Sequence, residues 1–572
     1  MPGRRTDGGK NPQRSLGAHC RRRASGRRRG RWFRDLDPGA FQRCEPTLAS
    51  CSFALRGAVA GRRGASVVKL SKLLEKLGGE CLNSGTGSSA KGNPEILDVH
   101  LDSRRVGAGE LFAALPGTVH DGTEYASSAL KKGAVCILSS APLGGLSGLN
   151  WVHPQARRIA GEAAALVHGE PAREQVVIGI TGTNGKTTVA HITGALLEHL
   201  GRKPGIVGTI AIKLHDCAQK PATHTTPDAC ELQRLARRNL EAGGDSLVLE
   251  VSSHALDQER LAGLELDVAI FTNLGRDHLD YHASLDDYAA AKERIFDRLK
   301  KGGVAAINVD DSSAERMIRT AERKEARVIT YGTRSPRAIL SASLSDAGPL
   351  GSHLFLQGMG IPRTGFFLPL VGRHNIENAL AAIAAVLSVE ASPSRMLEGL
   401  ASITSPPGRL EPVDTRTSEL KVFIDYAHTP DALARVLETL RELVVLGDDE
   451  GHTILEGKVL CLFGCGGNRD RTKRAPMGEV AGRLADVVIV TSDNPRFENP
   501  DKIIEEILEG LKNTKADLVV EPDRRTAIRK ALRMTSRGDV LLVAGKGHET
   551  WQRVRERRIP FEDRKVVEEE LP

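Results

Sequence analysis

Short apolar runs with the length of buried strands recur along most of this chain, separated by stretches of helical period. That alternation restricts the fold more than any other feature. Val176–Thr181 is the clearest run, and residues 246–251, 268–273 and 304–308 follow it at helix-length spacings. Strands buried on both faces read as continuous apolar runs, and strand–helix alternation builds a parallel sheet covered on both sides. A doubly wound α/β domain is therefore expected in the middle of the chain. The runs at 422–425, 459–463, 487–491 and 540–544 predict a second, Rossmann-like α/β unit after it. A smaller one is expected before it, with a helix over 67–77 and strands over 96–101, 110–115 and 134–138. Links at Gly169-Glu170-Pro171 and Ser405-Pro406-Pro407-Gly408 set the expected domains at 67–172, 173–408 and 409–572, behind an extension of residues 1–66.

A chain of 572 residues suits three or four folding units. Its hydrophobic share of 40%, with 59 glycines besides, is ordinary for a globular protein and excludes wholesale disorder. The longest apolar stretch, 379–389, contains Ser388 and is too short to cross a bilayer, which takes about 18 residues or more. The net charge of +8 is misleading, because residues 1–66 hold 16 Lys/Arg against 4 Asp/Glu and leave the remainder at −4. A basic nucleic-acid-binding body is excluded. The extension, with Arg21-Arg22-Arg23 and Arg27-Arg28-Arg29, is expected to be disordered. Three readings are open for it: an organelle transit peptide, a polyanion-binding arm, or an incidental extension. The last is favoured, since it has only five serines and no amphipathic helix. Nine scattered cysteines without a CxxC argue against zinc or a disulfide framework and for a reducing compartment, the cytoplasm, or the plastid stroma if the extension is a transit peptide.

The strongest local signal is Gly182-Thr183-Asn184-Gly185-Lys186-Thr187-Thr188, between the run Val176–Thr181 and a helix through residues 191–200. Glycines let backbone N–H groups crowd a phosphate, and the helix N-terminus adds positive potential. The lysine reaches the terminal phosphates and Thr187 can hold Mg²⁺. ATP is the expected ligand, although a strict P-loop would have glycine where Ile180 stands. Glu250 closes the next apolar run, where a Mg²⁺ ligand sits in an open parallel sheet, and His278 follows the run after that. In isolation Glu250 would be an ordinary capping residue and His278 a satisfied hydrogen-bonding one.

Taken together, Gly182 to Thr188, Glu250-Val251-Ser252-Ser253-His254-Ala255-Leu256, Asn273 to Tyr281, the helical segment with Ala290-Ala291-Lys292, and Asp425-Tyr426-Ala427-His428-Thr429-Pro430 occur in the order seen in Mur ligases. The chain resembles that family over residues 67–572. Glu250 to His254 and Asp493-Asn494-Pro495-Arg496 point to its diaminopimelate-adding branch. The resemblance implies ATP-dependent addition of meso-diaminopimelate to UDP-N-acetylmuramoyl-L-alanyl-D-glutamate through an acyl phosphate, in peptidoglycan precursor synthesis, by a monomer that neither enters a membrane nor binds specific nucleic acid. It implies that Ser103 touches the uridine nucleotide and that Thr225, Thr226, Ser252, Gln258 and Arg260 hold the muramoyl peptide. Thr187, Glu250, His278 and a carbamate formed by CO₂ on Lys292 would serve Mg²⁺, with Lys186, Lys292 and His278 at the chemistry. Oxygen ligands suit Mg²⁺ and a bare ammonium does not. Asn375, Asn378, Arg409 and Asp425 would lie around ATP, with His374 where the family commonly has phenylalanine. His428 is open to a nucleotide contact or a turn cap.

In the last unit, Arg469, Asp493, Asn494, Pro495, Arg496, Gly545 and Glu549 follow successive strands and can converge on one pocket. Its mixture of cations and anions suits an amino acid with charged groups at both ends. Two other readings carry different consequences: a folylpolyglutamate-type ligase sharing the ATPase core, against which the segment 252–256 speaks, and a catalytically reduced plastid scaffold, against which the retained Lys186, Glu250, His278, Lys292 and Arg496 speak.

Overall fold

Alternate residues of a strand face opposite sides of a sheet. In Val176–Thr181 this sends Ile178 and Ile180 into one apolar cluster and Val177 into another, so the strand is buried on both faces. The computed structural model describes residues 68–571 apart from 84–91, 118–119, 223, 276, 279–280, 349, 391, 416–419 and 445–456. The basic extension and Arg276, Leu279 and Asp280 of the His278 segment lie outside the described residues.

The described strands form three main sheets. The first runs Glu80–Asn83, Leu149–Val152, Cys136–Ser139, Leu111–Ala113, Val99–His100. The run expected over 96–101 is broken in two, Glu95–Ile96 and Val99–His100, which belong to different sheets. Asp98 sits at the break, its carboxylate accepting from the Val99 N–H and from Arg234. The second sheet has eleven strands. Its parallel centre is Pro204–Val207, Ser246–Glu250, Val176–Thr181, Leu266–Phe271, Leu299–Asn308 and Arg327–Gly332. Three strands at one edge, Leu340–Gly348, Gly351–Gly358 and Ile361–Leu368, have no counterpart in the sequence reading. They form antiparallel hairpins with one face exposed, and their mixed polar composition gives no apolar run.

The third sheet places Lys421–Asp425, Val540–Ala544, Val459–Phe463, Val487–Val490 and Asp517–Val520 side by side in parallel. Helix Lys186–His199 starts at the glycine-rich loop, five residues earlier than its apolar period suggested. It packs against helix Arg373–Val389, whose interior from Ala379 to Val386 is buried. Lys292 rides on helix Leu285–Glu293, whose N-terminus is capped by Ser284 accepting from the Asp287 N–H. The middle sheet thus presents its glycine-rich loop at the carboxyl end of Val176–Thr181, between the parallel strands Ser246–Glu250 and Leu266–Phe271. No helix among the described residues is long and apolar enough to cross a membrane.

Candidate active site

The glycine-rich loop is fixed from both sides. Gly182 (φ +149°) and Gly185 (φ +88°) adopt angles that disfavour a side chain, and a Cβ on either would collide with the Thr272 hydroxyl or the Asn378 amide. Thr183 and Asn184 donate their N–H groups to the Asn273 carbonyl (2.8 Å) and Oδ1 (2.9 Å), while Thr272 donates to the Asn184 carbonyl at 2.7 Å. Lys186 Nζ donates to the carbonyls of Gly182 and Thr183 at 2.8 and 2.9 Å, and Thr188 lines the same hollow. Beyond it, Glu250 is 2% exposed, accepting from Thr187 Oγ1 at 2.8 Å and from Thr209 through both N–H (2.8 Å) and Oγ1 (3.0 Å). Arg409 reaches Thr187 Oγ1 at 3.3 Å, and its buried Nε has no partner among the described residues. A carboxylate among hydroxyls, buried and facing the loop, is a hard-oxygen set of the kind Mg²⁺ takes.

Lys292 is 1% exposed, its Nζ 4.4 Å from the centre of the Tyr288 ring. Burial, reinforced by the nearby Lys186 ammonium, pushes its amine well below the ordinary lysine range. Burial lowers Lys186 too, against the pull of Glu250 and Asp277. His278 has a left-handed backbone (φ +54°), an uncommon conformation for a side-chain-bearing residue that clusters at functional sites. Its ring meets His254 edge-on at 4.8 Å.

Three cavities meet here. The first, about 330 Å³, is lined by the loop, Glu250, Thr225, Ser252 and His278, by His374, Asn375, Asn378 and Arg435, and by Asp425 to Thr429 from the third sheet. His374 is held down to about 4 by burial and the Arg435 guanidinium, so it is neutral at pH 7. Asp425 is pushed up by burial, although the N–H groups of Leu410 and Ala427 bond its carboxylate at 2.6 and 2.7 Å. The second cavity, about 820 Å³, is shared by Asp277 and His278 with Arg469, Asp493, Asn494, Arg496, Gly545 and Glu549. The third, about 810 Å³, lies between Thr209 and Thr225 on one side and His548 to Trp551 on the other. Tyr426 lines all three, with Arg409 4.9 Å over its ring. The sequence reading gave Tyr426 no role, and its place inside the motif 425–430 was the available signal.

In the second cavity Arg496 has φ +53° and donates Nη1 to the Gly467 carbonyl at 2.8 Å. Its backbone bonds Arg553 and Arg555 of the hairpin Trp551–Val554 and Arg557–Pro560, which the sequence reading did not contain. Glu498, two residues further on, pairs with the buried Arg474 rather than with Arg496. The Asn494 side chain is spent within the protein, donating to Asp493 and Glu549 and accepting from the Arg553 N–H. Pro495 is buried beside it.

Other candidates stand apart. Ser103 lies in a turn beside the Asp102–Arg104 ion pair, and its carbonyl accepts from Lys132; it lines none of the three cavities. Thr226 is 1% exposed and donates to the Glu250 carbonyl. Arg260 bonds Gln258 and the Thr226 carbonyl, forming a brace behind Thr225 and Ser252. His428 Nδ1 lies 2.8 Å from the Tyr426 carbonyl, the geometry of a turn cap at the rim of the first cavity.

Comparison with known proteins gives three matching family descriptions: Mur ligase family, catalytic domain, over residues 95–173; Mur ligase middle domain over 180–386; and Mur ligase, glutamate ligase domain, over 408–547. The chain is 39% identical over 493 residues to the UDP-N-acetylmuramoyl-L-alanyl-D-glutamate--2,6-diaminopimelate ligase of Caldanaerobacter subterraneus subsp. tengcongensis, covering 86% of this chain and 98% of that one. The ligase of the same name from Gloeobacter violaceus is 38% identical over 493 residues, covering 85% and 96%. A solved structure of a ligase of that name superposes with a TM-score of 0.63 at 31% identity, over 88% of this chain and 99% of the other. Mycobacterium tuberculosis folylpolyglutamate synthase shares the fold, with a TM-score of 0.52 at 22% identity over 67% and 91%.

Proposed function

The chain belongs to the Mur ligase family and is an ATP-dependent ligase, and from that premise we propose that it adds meso-2,6-diaminopimelate to UDP-N-acetylmuramoyl-L-alanyl-D-glutamate in peptidoglycan precursor synthesis. On this reading residues 67–172 grip the UDP-sugar, 173–408 bind ATP and 409–572 carry the incoming amino acid, in a cytoplasmic monomer. The observation that carries it is the continuity of the glycine-rich-loop cavity, through His278 and Asp277, with a cavity whose walls alternate arginine and carboxylate.

The substrate carboxylate attacks the terminal phosphorus of ATP, ADP leaves, and the amine of the acceptor attacks the resulting acyl phosphate, releasing phosphate. Crowded phosphate oxygens must be neutralised, and here Lys186, Arg409 and the first N–H groups of helix Lys186–His199 converge. Thr187, Glu250, His278 and a carbamate on Lys292 would hold Mg²⁺, which supplies charge neutralisation between the phosphates. The buried hydroxyl and carboxylate set supports that fit. An amine adds CO₂ only when neutral, and burial shifts that of Lys292 toward the neutral form. Asn375, Asn378 and neutral His374 would shape the adenine end. Thr225 and Ser252 face the muramoyl peptide, with Gln258, Arg260 and Thr226 bracing them, and Ser103 would meet the uridine nucleotide. Arg469, Arg496, Asp493 and Glu549 take the two charged ends of diaminopimelate, with Asn494, Pro495 and Gly545 holding the loop shape.

Arg496 should govern acceptor choice. The far end of meso-diaminopimelate has a carboxylate that lysine lacks, and a charge-assisted bond there is worth roughly 1.5–3 kcal/mol, so discrimination of about tenfold to a hundredfold is expected. Phosphate release measured with each acceptor should occur with meso-diaminopimelate, far more slowly with L-lysine, and not with a folate and glutamate. Release with the folate pair alone would overturn the assignment. An unchanged acceptor ratio in Arg496→Ala would remove Arg496 from it.

A further inference from the structure

Lys546 is a charged side chain with 0% exposure, and the mechanism above does not use it. It follows Gly545 in the turn after strand Val540–Ala544. Its Nζ donates to Glu549 Oε2 at 2.9 Å and to the Trp551 carbonyl at 2.7 Å, and lies 3.7 Å from Asp493 Oδ1. All three partners line the acceptor cavity, while Lys546 itself does not.

The charges of that wall are one acid in excess. Asp277, Asp470, Asp493 and Glu549 oppose Arg469, Lys473 and Arg496 among the described lining residues, and Lys546 brings the balance to neutral. The acceptor that attacks must have a neutral amine, so reacting meso-diaminopimelate carries two carboxylates and one ammonium, net −1. Reacting lysine carries one of each and is net neutral. A single buried positive charge therefore acts on one acceptor more than on the other.

Accepting the acceptor assignment above, we propose that Lys546 is a specificity-determining positioning residue: it offsets the Asp493–Glu549 pair so that the cavity admits an acceptor with a second carboxylate. Two further cations act on Asp493 without bonding the pair: Arg524 is committed to Asp563 by two bonds of 2.7 Å, and Arg496, whose charge senses both Asp493 and Glu549, gives Nη1 to the Gly467 carbonyl. Burial raises the Asp493 carboxyl, and Lys546 followed by Arg524 opposes that rise, against Glu549 and Asp563. Lys546 and Asn494 both bond Glu549 at Oε2, so Oε1 is the atom a ligand ammonium can take.

The test compares kcat/KM for meso-diaminopimelate and L-lysine, between pH 6 and 9, in wild type, Lys546→Arg, Lys546→Gln and the double variant Lys546→Gln/Glu549→Gln. Lys546→Gln should shift the acceptor ratio toward lysine by roughly tenfold or more, mostly through KM for meso-diaminopimelate, with KM for ATP unchanged. Its acceptor KM should also acquire a new pH dependence, as the Asp493 carboxyl, pushed up by burial, loses the first cation that opposes the rise. Lys546→Arg keeps the charge and should keep the ratio. The double variant removes one charge of each sign; both acceptors lose the Glu549 contact alike, so its ratio should stay within about threefold of wild type. Should Lys546→Gln not fold, the double variant still decides, since removing both members of a buried pair is far less disruptive than removing one. A ratio unchanged in Lys546→Gln with kcat lowered equally for both acceptors, or a collapsed ratio in the double variant, overturns the proposal. A wild type that uses neither acceptor overturns the acceptor assignment on which the proposal rests.

Discussion

Lys292 and His374 are both titratable groups whose surroundings favour the neutral form, for different ends. The neutral amine of Lys292 can add CO₂, whereas a bare ammonium there would face Lys186. Lys292→Ala should lower kcat by at least about a hundredfold with the melting temperature little changed, as expected for lost electrostatic stabilisation of the transferring group. Isotopically labelled bicarbonate should give a carbamate carbon resonance in the wild type and none in the variant. His374 has no such reactive use. Its folded-state value is depressed from 6.5 to about 4 by burial and Arg435, so its contribution to stability is fully present above pH 6.5 and is lost as pH falls toward 4. At pH 5 the deficit is on the order of 2 kcal/mol. His374→Phe should therefore gain melting temperature over wild type at pH 5 and far less at pH 8, measured by thermal unfolding; an equal shift at both pH values would remove the burial argument.

At the scale of elements, the glycine-rich loop and its helix act as one unit. Ile180, where a strict P-loop would have glycine, is a fully buried strand residue, and the turn starts only at Gly182. Gly185→Ala should weaken ATP binding at least about tenfold by calorimetry, because the added Cβ meets the Asn378 amide and φ +88° is strained for alanine. Adding Asn378→Ala should relieve the collision and only part of the loss, since the backbone strain remains. The helix bearing Lys292 depends on its Ser284 cap. Ser284→Ala should cost about 1 kcal/mol in denaturant unfolding and reduce carbamate occupancy with it. These loops were legible in the sequence because strand period, glycine spacing and caps are set by near neighbours. The hairpins Leu340–Leu368 and Trp551–Pro560 were not, since half-exposed antiparallel strands carry no apolar run.

Across the whole molecule, Arg234 on helix Ala229–Glu241 ties the middle of the chain to the first sheet, with Nη1 2.9 Å from Asp98 Oδ1 and 2.8 Å from the Val99 carbonyl. Arg105 pairs with Glu231 at 2.8 Å beside it. Burial would raise the Asp98 carboxyl, but the His168 hydrogen bond and the Arg234 guanidinium hold it well below the usual range. Arg234→Ala leaves that carboxylate only His168 and the Val99 N–H as hydrogen-bond partners among the described residues; a loss of about 1.5–3 kcal/mol is expected in denaturant unfolding, with KM for the UDP-sugar raised and KM for ATP unchanged. Equal changes in both KM values would mean that the contact does not act through the first sheet. The sequence by itself determined the alternation of strands and helices, the loop that crowds a phosphate, and the acids, histidine and lysine brought to the edge of the middle sheet, because period, turn chemistry and the carboxyl ends of parallel strands follow from local order. Only the tertiary structure decided that Thr226 and the Asn494 amide are spent inside the protein, that Tyr426 borders three cavities, and that Lys546, Arg474 and Arg524 lie buried with their charges paired. Whether a charge can be buried depends on partners supplied from elsewhere in the chain, and no local pattern records where those partners will meet.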